Sequence, residues 1–320
     1  MVVGRFAPSP TGPLHTGSLV AAVGSWLMAK SCDGQWLLRI DDLDRDRCRQ
    51  HFEDDILRTL KRFGLQWDGP ITRQSNNTAA YTAAFEQLRA AGHLYPCGCS
   101  RAEIARSASA PHPGEEVPYP GTCRNGLSAG RQPRAWRLRT EGITVGFDDL
   151  RHGRIVTDLD RSGDCVVRRA EGYFAYQLAV VVDDRLTGVN QVVRGDDLLD
   201  STPRQVLIHQ LLEWPLPVYC HLPLVTGPDG SKLSKRDNTV SLADDRVAGR
   251  EAELLTWCLE FLGLVVPPGL QRVSCAELLA WAQPQEPAVW LKRKPQAQTK
   301  TGHTIPKTIA CTNPRIFKDP

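Results

Sequence analysis

The sequence predicts an α/β fold in which a parallel sheet is covered by helices, with a cysteine-bearing insertion and a small helical C-terminal part. Three observations carry this. Through the first hundred residues, apolar runs of strand length alternate with segments of helical period. From about 95 to 134 the alternation stops, and Pro, Gly and Ser gather around Cys97, Cys99 and Cys123. After position 250 helical periodicity returns with no strand between.

Taken in order, residues 2–6 form a short apolar strand, and the Pro/Gly-rich loop from Pro8 to Pro13 leads into a helix over 18–30. Trp36-Leu-Leu-Arg-Ile40 is a second strand. Phe52, Ile56, Leu57, Leu60 and Phe63 repeat at helical spacing up to Gly64, a natural stop. A helix follows over 78–91, ended by Gly92. Strand signals return at 135–139, 153–157 and 165–167, then a mixed apolar segment at 173–182 and a strand at 189–193. A helix over 202–212 carries Pro203 in its first turn. Residues 219–225, a strand or loop, lead into Gly227-Pro-Asp-Gly-Ser-Lys-Leu-Ser-Lys-Arg236, and 250–262 is an amphipathic helix.

Composition excludes several classes. With 41% hydrophobic and 23% charged residues the chain can bury a core and is neither fibrous nor disordered. No apolar run approaches the roughly 20 residues of a membrane span, and Arg5, Pro8 and Pro10 interrupt any secretory segment, so a cytoplasmic protein without membrane contact is expected. Ten cysteines, seven of them scattered, do not make a disulfide framework. The formal charge of +3 is a property of the end of the chain: residues 284–320 hold seven basic and two acidic side chains, leaving −2 for the rest. That segment, dominated by Pro, Gln, Thr and Lys, is expected to be a disordered tail.

Two stretches suit phosphate. A helix N-terminus offers unpaired N–H groups and a partial positive charge, and the loop ahead of the first helix supplies Gly12, Gly17 and His15, a possible phosphate donor. Lys232-Leu-Ser-Lys-Arg236 puts three cations in five residues, able to embrace a triphosphate and neutralise charge on departing pyrophosphate. Singly, such features are common in ordinary turns and on solvated surfaces; together they are not. The three clustered thiols in Cys97-Gly-Cys99 and Tyr119-Pro-Gly-Thr-Cys123 form two short ligand pairs for Zn²⁺, with Tyr119 and His112 equally eligible as fourth ligand by spacing.

In combination these stretches resemble a known family. Pro13-Leu-His-Thr-Gly-Ser18 is similar to the HIGH signature, and Lys232-Leu-Ser-Lys-Arg236 to the KMSKS signature, of class I aminoacyl-tRNA synthetases. Arg5-Phe-Ala-Pro-Ser-Pro-Thr-Gly12, Leu38-Arg-Ile-Asp-Asp-Leu-Asp44 and Val193-Arg-Gly-Asp-Asp197 resemble its glutamyl branch. Phe174-Ala-Tyr-Gln-Leu-Ala-Val-Val-Val-Asp-Asp184 resembles the enzymes that attach glutamate to queuosine in tRNA(Asp). The resemblance covers roughly residues 2–260 and implies a Rossmann-like catalytic domain over 1–94 and 135–240, a zinc-binding insertion over 95–134 and a helical subdomain over 241–283.

It also implies roles. Glutamate would be held by Arg5, Ala7, Ser9, Asp41, Tyr176 and Arg194, and ATP by Pro8, His15, Gly17, Ser18, Lys232, Ser234 and Lys235. His15, Lys232 and Lys235 would be catalytic, with Lys235 the principal pyrophosphate contact. The chemistry suits the residue types: guanidinium forks pair with the carboxylates of a dicarboxylic amino acid, and Asp41 supplies an anion for its ammonium. Asp41 stands where relatives usually carry Glu, and Ser18 replaces the last His of the HIGH pattern. The family favours Tyr119 as fourth ligand of a structural zinc beside Cys97, Cys99 and Cys123. ATP with Mg²⁺, glutamate and queuosine-bearing tRNA(Asp) are the implied partners of a monomer. The rivals are a conventional or truncated glutamyl-tRNA synthetase charging the tRNA 3′ end, for which 320 residues leave little room for an anticodon-reading domain, and an inactive tRNA-binding module.

Overall fold

The computed structural model describes residues 1–107, 118–226, 241–244, 247–270 and 273–291. In chain order the described elements are β1 (Val3–Phe6), α1 (Thr16–Lys30), β2 (Gln35–Ile40), α2 (Gln50–Arg62), β3 (Thr72–Arg73), α3 (Thr78–Ala90), β4 (Leu94–Cys97), α4 (Arg101–Ser107), β5 (Ala135–Leu138), β6 (Thr144–Asp149), β7 (Gly153–Asp158), β8 (Val166–Arg168), α5 (Tyr176–Leu186), β9 (Gln191–Gly195), α6 (Thr202–Leu211), β10 (Val218–Leu222), α7 (Glu251–Leu262), α8 (Cys275–Ala282) and α9 (Pro287–Trp290). No described helix is long and apolar enough to cross a membrane. The chain forms two compact units: Met1–Thr72, Gln191–Asp197 and the described residues from Tyr219 onward make the first, Arg73–Asn190 and Leu198–Val218 the second.

In the first unit β1 and β2 are parallel, with Arg5 beside Leu37 and Phe6 beside Leu38, as the strand and helix alternation predicts. β9 and β10 are neighbours in a sheet. Helix α1 is buried on most of its circumference because it packs on β1, β2, β9 and α7. One core cluster joins Leu19, Val23 and Leu27 of α1, Trp36 and Leu38 of β2, and Ile56 and Leu60 of α2 to Leu254, Leu255 and Leu259 of α7. Each such side chain contributes about 1.5–3 kcal/mol on burial. The Trp36 indole donates to Ser25 Oγ at 2.9 Å, so its polar edge is satisfied in the core. The expected C-terminal helix appears as α7, closed by Gly263 in the left-handed region at φ 106°.

The helical part extends beyond the expected boundary. Ser274 and Glu277 form a reciprocal capping box that starts α8. Residues 284–291, assigned to the tail by composition, instead form a turn and α9, and Trp290 and Leu291 are buried in the first unit's core cluster. Two large apolar side chains outweigh the polar average of that stretch. Residues 292–320 lie outside the described ones.

The second unit is built differently from the parallel pattern. Strands β4, β5 and β8 form an antiparallel sheet, and β6 and β7 an antiparallel hairpin. Helices α3, α5 and α6 pack in sequence, α3 on α5 and α5 on α6. The mixed segment at 173–182 becomes α5, despite three consecutive valines. Residues 178–184 of that helix are all buried, and Asp183 accepts from Gln74 Nε2 (2.7 Å), Asn77 Nδ2 (2.8 Å) and Tyr81 Oη (2.7 Å). Burial on every side and a fully engaged carboxylate override the strand propensity of Val180, Val181 and Val182. The cysteine-bearing segment belongs to this unit together with 73–94 and 135–190, so the unit boundaries cut the chain elsewhere than at 95 and 134.

Candidate active site and metal centre

The loop after β1 and the start of α1 make the first site. His15 is the N-cap of α1: its backbone is extended and its Nδ1 accepts from the Ser18 amide at 3.3 Å. That contact places a lone pair on Nδ1, so the neutral ring carries its proton on Nε2 and offers a donor there. Gly17 makes room for the ring, since a Cβ there would sit 3.1 Å from His15 Cε1. His15 also bridges Ser241 in an antiparallel sense, and the Leu242 amide donates to the Leu14 carbonyl at 2.8 Å, with Leu14 and Leu242 both buried. Thus the described residues that follow the Lys232–Arg236 stretch are fastened to the His15 segment. Lys232, Ser234 and Lys235 themselves lie outside the described residues.

The loop is also tied to β2. The Asp41 amide donates to the Pro8 carbonyl at 3.0 Å, and the Arg49 amide to that of Pro10 at 3.0 Å. Arg5 and Asp41 are buried, Ala7 is half-buried and Ser9 is exposed. Both Arg5 and Asp41 stand toward the carboxyl ends of adjacent parallel strands, the usual place for a ligand in such sheets. Arg194, on β9 of the same unit, is buried as well. Tyr176, the first residue of α5, belongs to the second unit and is half-buried.

Two partners escaped sequence reasoning. Asp41 Oδ1 accepts from Arg39 Nε at 2.7 Å, a pair with side chains only 2% and 6% exposed. The signal was the i, i+2 spacing, which puts two side chains on one face at a strand end. Arg194 Nε donates to His221 Nε2 at 3.2 Å, and its guanidinium carbon lies 5.8 Å from the centre of the Tyr219 ring. Here too the i, i+2 spacing of Tyr219 and His221 was the available sign.

In the second unit Cys97, Cys99 and Cys123 bring their sulfurs within 4.8 Å of one another. Cys99 Sγ and Cys123 Sγ are 3.6 Å apart, and Tyr119 Oη lies 3.4 Å from Cys97 Sγ and 3.6 Å from that of Cys99. A tetrahedral ion with metal–sulfur bonds of about 2.3 Å separates its sulfurs by about 3.8 Å, so the four atoms fit a metal; a disulfide needs about 2.05 Å. Burial pushes the Tyr119 phenol and the Cys99 thiol up. At Cys123 burial acts the same way but is outweighed by hydrogen bonds from Tyr119 and the Gly98 amide, which bring the thiol down. Arg137 lies over the Tyr119 ring at 3.8 Å, and Arg131 Nη1 donates to Cys99 Sγ at 3.7 Å, so two cations adjoin the cluster and would offset the charge of thiolates bound to a metal. Gly163 holds Tyr119 in place. It bridges Tyr119 at φ 67°, and a Cβ there would meet the Tyr119 amide nitrogen at 2.6 Å. His112, the other candidate ligand by spacing, lies outside the described residues.

Comparison with known proteins places the chain in a family. Residues 1–272 match the family described as tRNA synthetases class I (E and Q), catalytic domain. A protein of Geobacter sulfurreducens named Glutamyl-Q tRNA(Asp) synthetase is 57% identical over 284 residues, covering 88% of this chain and 90% of its own. One of the same name from Dechloromonas aromatica is 52% identical over 280 residues, covering 87% and 92%. Among solved structures, a glutamate tRNA ligase from Elizabethkingia meningosepticum in complex with its amino acid superposes with a TM-score of 0.73 at 25% identity, over 91% of this chain and 66% of that one. The chain belongs to the class I aminoacyl-tRNA synthetases, in the family of the glutamyl and glutaminyl catalytic domains.

Proposed function

We propose that this protein activates glutamate with ATP in the absence of tRNA and transfers it to the queuosine of the tRNA(Asp) anticodon. The observation that carries the reading in the fold is the fastening of Ser241 and Leu242, the first described residues after the KMSKS-like stretch in the chain, to Leu14 and His15 of the HIGH-like one. The choice of acceptor is supported by the relatives named Glutamyl-Q tRNA(Asp) synthetase, matched over nine tenths of their length.

In the first step an oxygen of the glutamate α-carboxylate attacks the α-phosphorus of ATP in line, and the bond to the β-phosphate oxygen breaks. No protein nucleophile is required; positioning and charge stabilisation supply the catalysis. His15 donates from Nε2 to phosphate, while Lys232, Ser234 and Lys235 take the charge gathering on pyrophosphate, which leaves with Mg²⁺. Pro8, Gly17 and Ser18 line the nucleotide. Arg5 and Arg194 hold the carboxylates and Asp41 the ammonium, and Ala7 and Ser9 complete the part of the amino-acid site that the first unit supplies. In the second step a hydroxyl of the queuosine cyclopentenediol attacks the activated carbonyl, and AMP leaves. Cys97, Cys99, Cys123 and Tyr119 hold one structural Zn²⁺, which pins a segment poor in apolar residues. A cytoplasmic monomer completes the reading.

ATP–pyrophosphate exchange tests the first step. Glutamate-dependent exchange without tRNA is expected; exchange that appears only when tRNA is added contradicts the reading. Metal analysis of the purified chain should find one zinc, lost in Cys97→Ser, and a zinc-free wild type or a fully loaded variant contradicts the metal assignment.

A further inference from the structure

We propose that His221 is a positioning residue that orients the Arg194 guanidinium for carboxylate recognition; this rests on Arg194 serving the glutamate site. Strands β9 and β10 are neighbours, and Arg194, Tyr219 and His221 all belong to the first unit. Tyr219 and His221 share one face of β10, with rings stacked 6.2 Å apart at 15°. His221 is fully buried and Tyr219 and Arg194 nearly so.

An arginine side chain has many rotamers to lose before it can grip a carboxylate at two points. Here the loss is met in the fold. The Nε–H is directed at His221 Nε2, and the guanidinium carbon lies 5.8 Å from the centre of the Tyr219 ring, within reach of a cation–π contact. With Nε turned to His221, a two-point grip on a carboxylate runs through the terminal Nη1 and Nη2 pair, which defines the direction from which the carboxylate must come. The contact also fixes the imidazole. To accept from a guanidinium, Nε2 must bear a lone pair, so the ring is neutral with its proton on Nδ1; a cationic ring would have no acceptor and would oppose the guanidinium charge.

Two substitutions separate this role from simple packing. His221→Phe keeps an aromatic volume and removes the acceptor, and is expected to raise the glutamate KM in ATP–pyrophosphate exchange about ten- to a hundred-fold, the weight of a hydrogen bond to a charged group, with the ATP KM within about twofold of wild type. His221→Gln returns an acceptor near the Nε2 position and is expected to restore most of the glutamate KM. Equal glutamate KM values in the two variants, or an ATP KM that rises in step, overturn the proposal. Nitrogen-15 spectra of the wild-type imidazole decide the contact without relying on any variant folding: a protonated Nδ1 and a bare Nε2 support it, and a protonated Nε2 overturns it. Should wild type show no glutamate-dependent exchange, the proposed function falls, and the imidazole spectrum still settles the His221 to Arg194 contact.

Discussion

At His15 the two ring nitrogens are separated by role: Nδ1 caps α1 through the Ser18 amide, and Nε2 carries the proton that a phosphate would receive as a hydrogen bond. This makes the residue testable by a split. His15→Asn keeps a side-chain oxygen for the cap, so its stability should stay near wild type while glutamate-dependent exchange falls about 10²-fold, the usual scale for one lost transition-state donor. His15→Ala should lose the same activity and also about 1 kcal/mol of stability. Equal exchange in wild type and His15→Asn, read beside their urea midpoints, would remove His15 from the phosphate site. The residue scale is also where sequence reasoning was most uneven. The motifs name His15, Arg5, Asp41 and Arg194, whereas their structural neighbours, Arg39 beside Asp41 and His221 beside Arg194, had no motif to name them. Strand neighbours carry no linear signature until the pairing and facing of side chains are known.

Helix α5 shows why elements were harder to read than motifs. Its Val-Val-Val run has strand propensity, and only the environment, buried on all sides with Asp183 held by three donors, makes it a helix. The opposite error occurred at α9, where averaging over a polar stretch hid Trp290. Trp290→Ala should cost about 3–5 kcal/mol in chemical denaturation, as for other large buried side chains. A change below about 1 kcal/mol would mean that α9 is not part of the core. Helix α6 carries a second consequence. Burial pulls the His209 imidazole down from its ordinary value of 6.5, and Asp184 and the Pro215 carbonyl only partly offset it. The unfolded chain therefore takes up a proton below about pH 6.5 that the folded chain resists, so this contribution is intact above pH 6.5 and is lost as pH falls below it. His209→Gln should flatten the decline in urea midpoint between pH 7.5 and 5.5; an unchanged slope would exclude His209 as its source.

For the molecule as a whole, a first unit with parallel strands bears Arg5, His15, Asp41 and Arg194, and a second, with antiparallel sheets, bears Tyr176 and the cysteine centre. The α/β class and the parallel β1–β2 pair were legible because alternation of strand and helix leaves few other topologies. The antiparallel β4–β5–β8 sheet was not, since β4 is only four residues long and pairs with a strand about forty residues away. The choice of acceptor is the central claim, and one charging assay tests it most directly. Labelled glutamate is offered with ATP to tRNA(Asp) that carries queuosine but lacks the 3′-terminal diol, and in parallel to intact tRNA(Glu), which carries no queuosine. The account predicts label on the first and none on the second; label on the second and none on the first would contradict it and mark the chain as an enzyme of the tRNA 3′ end.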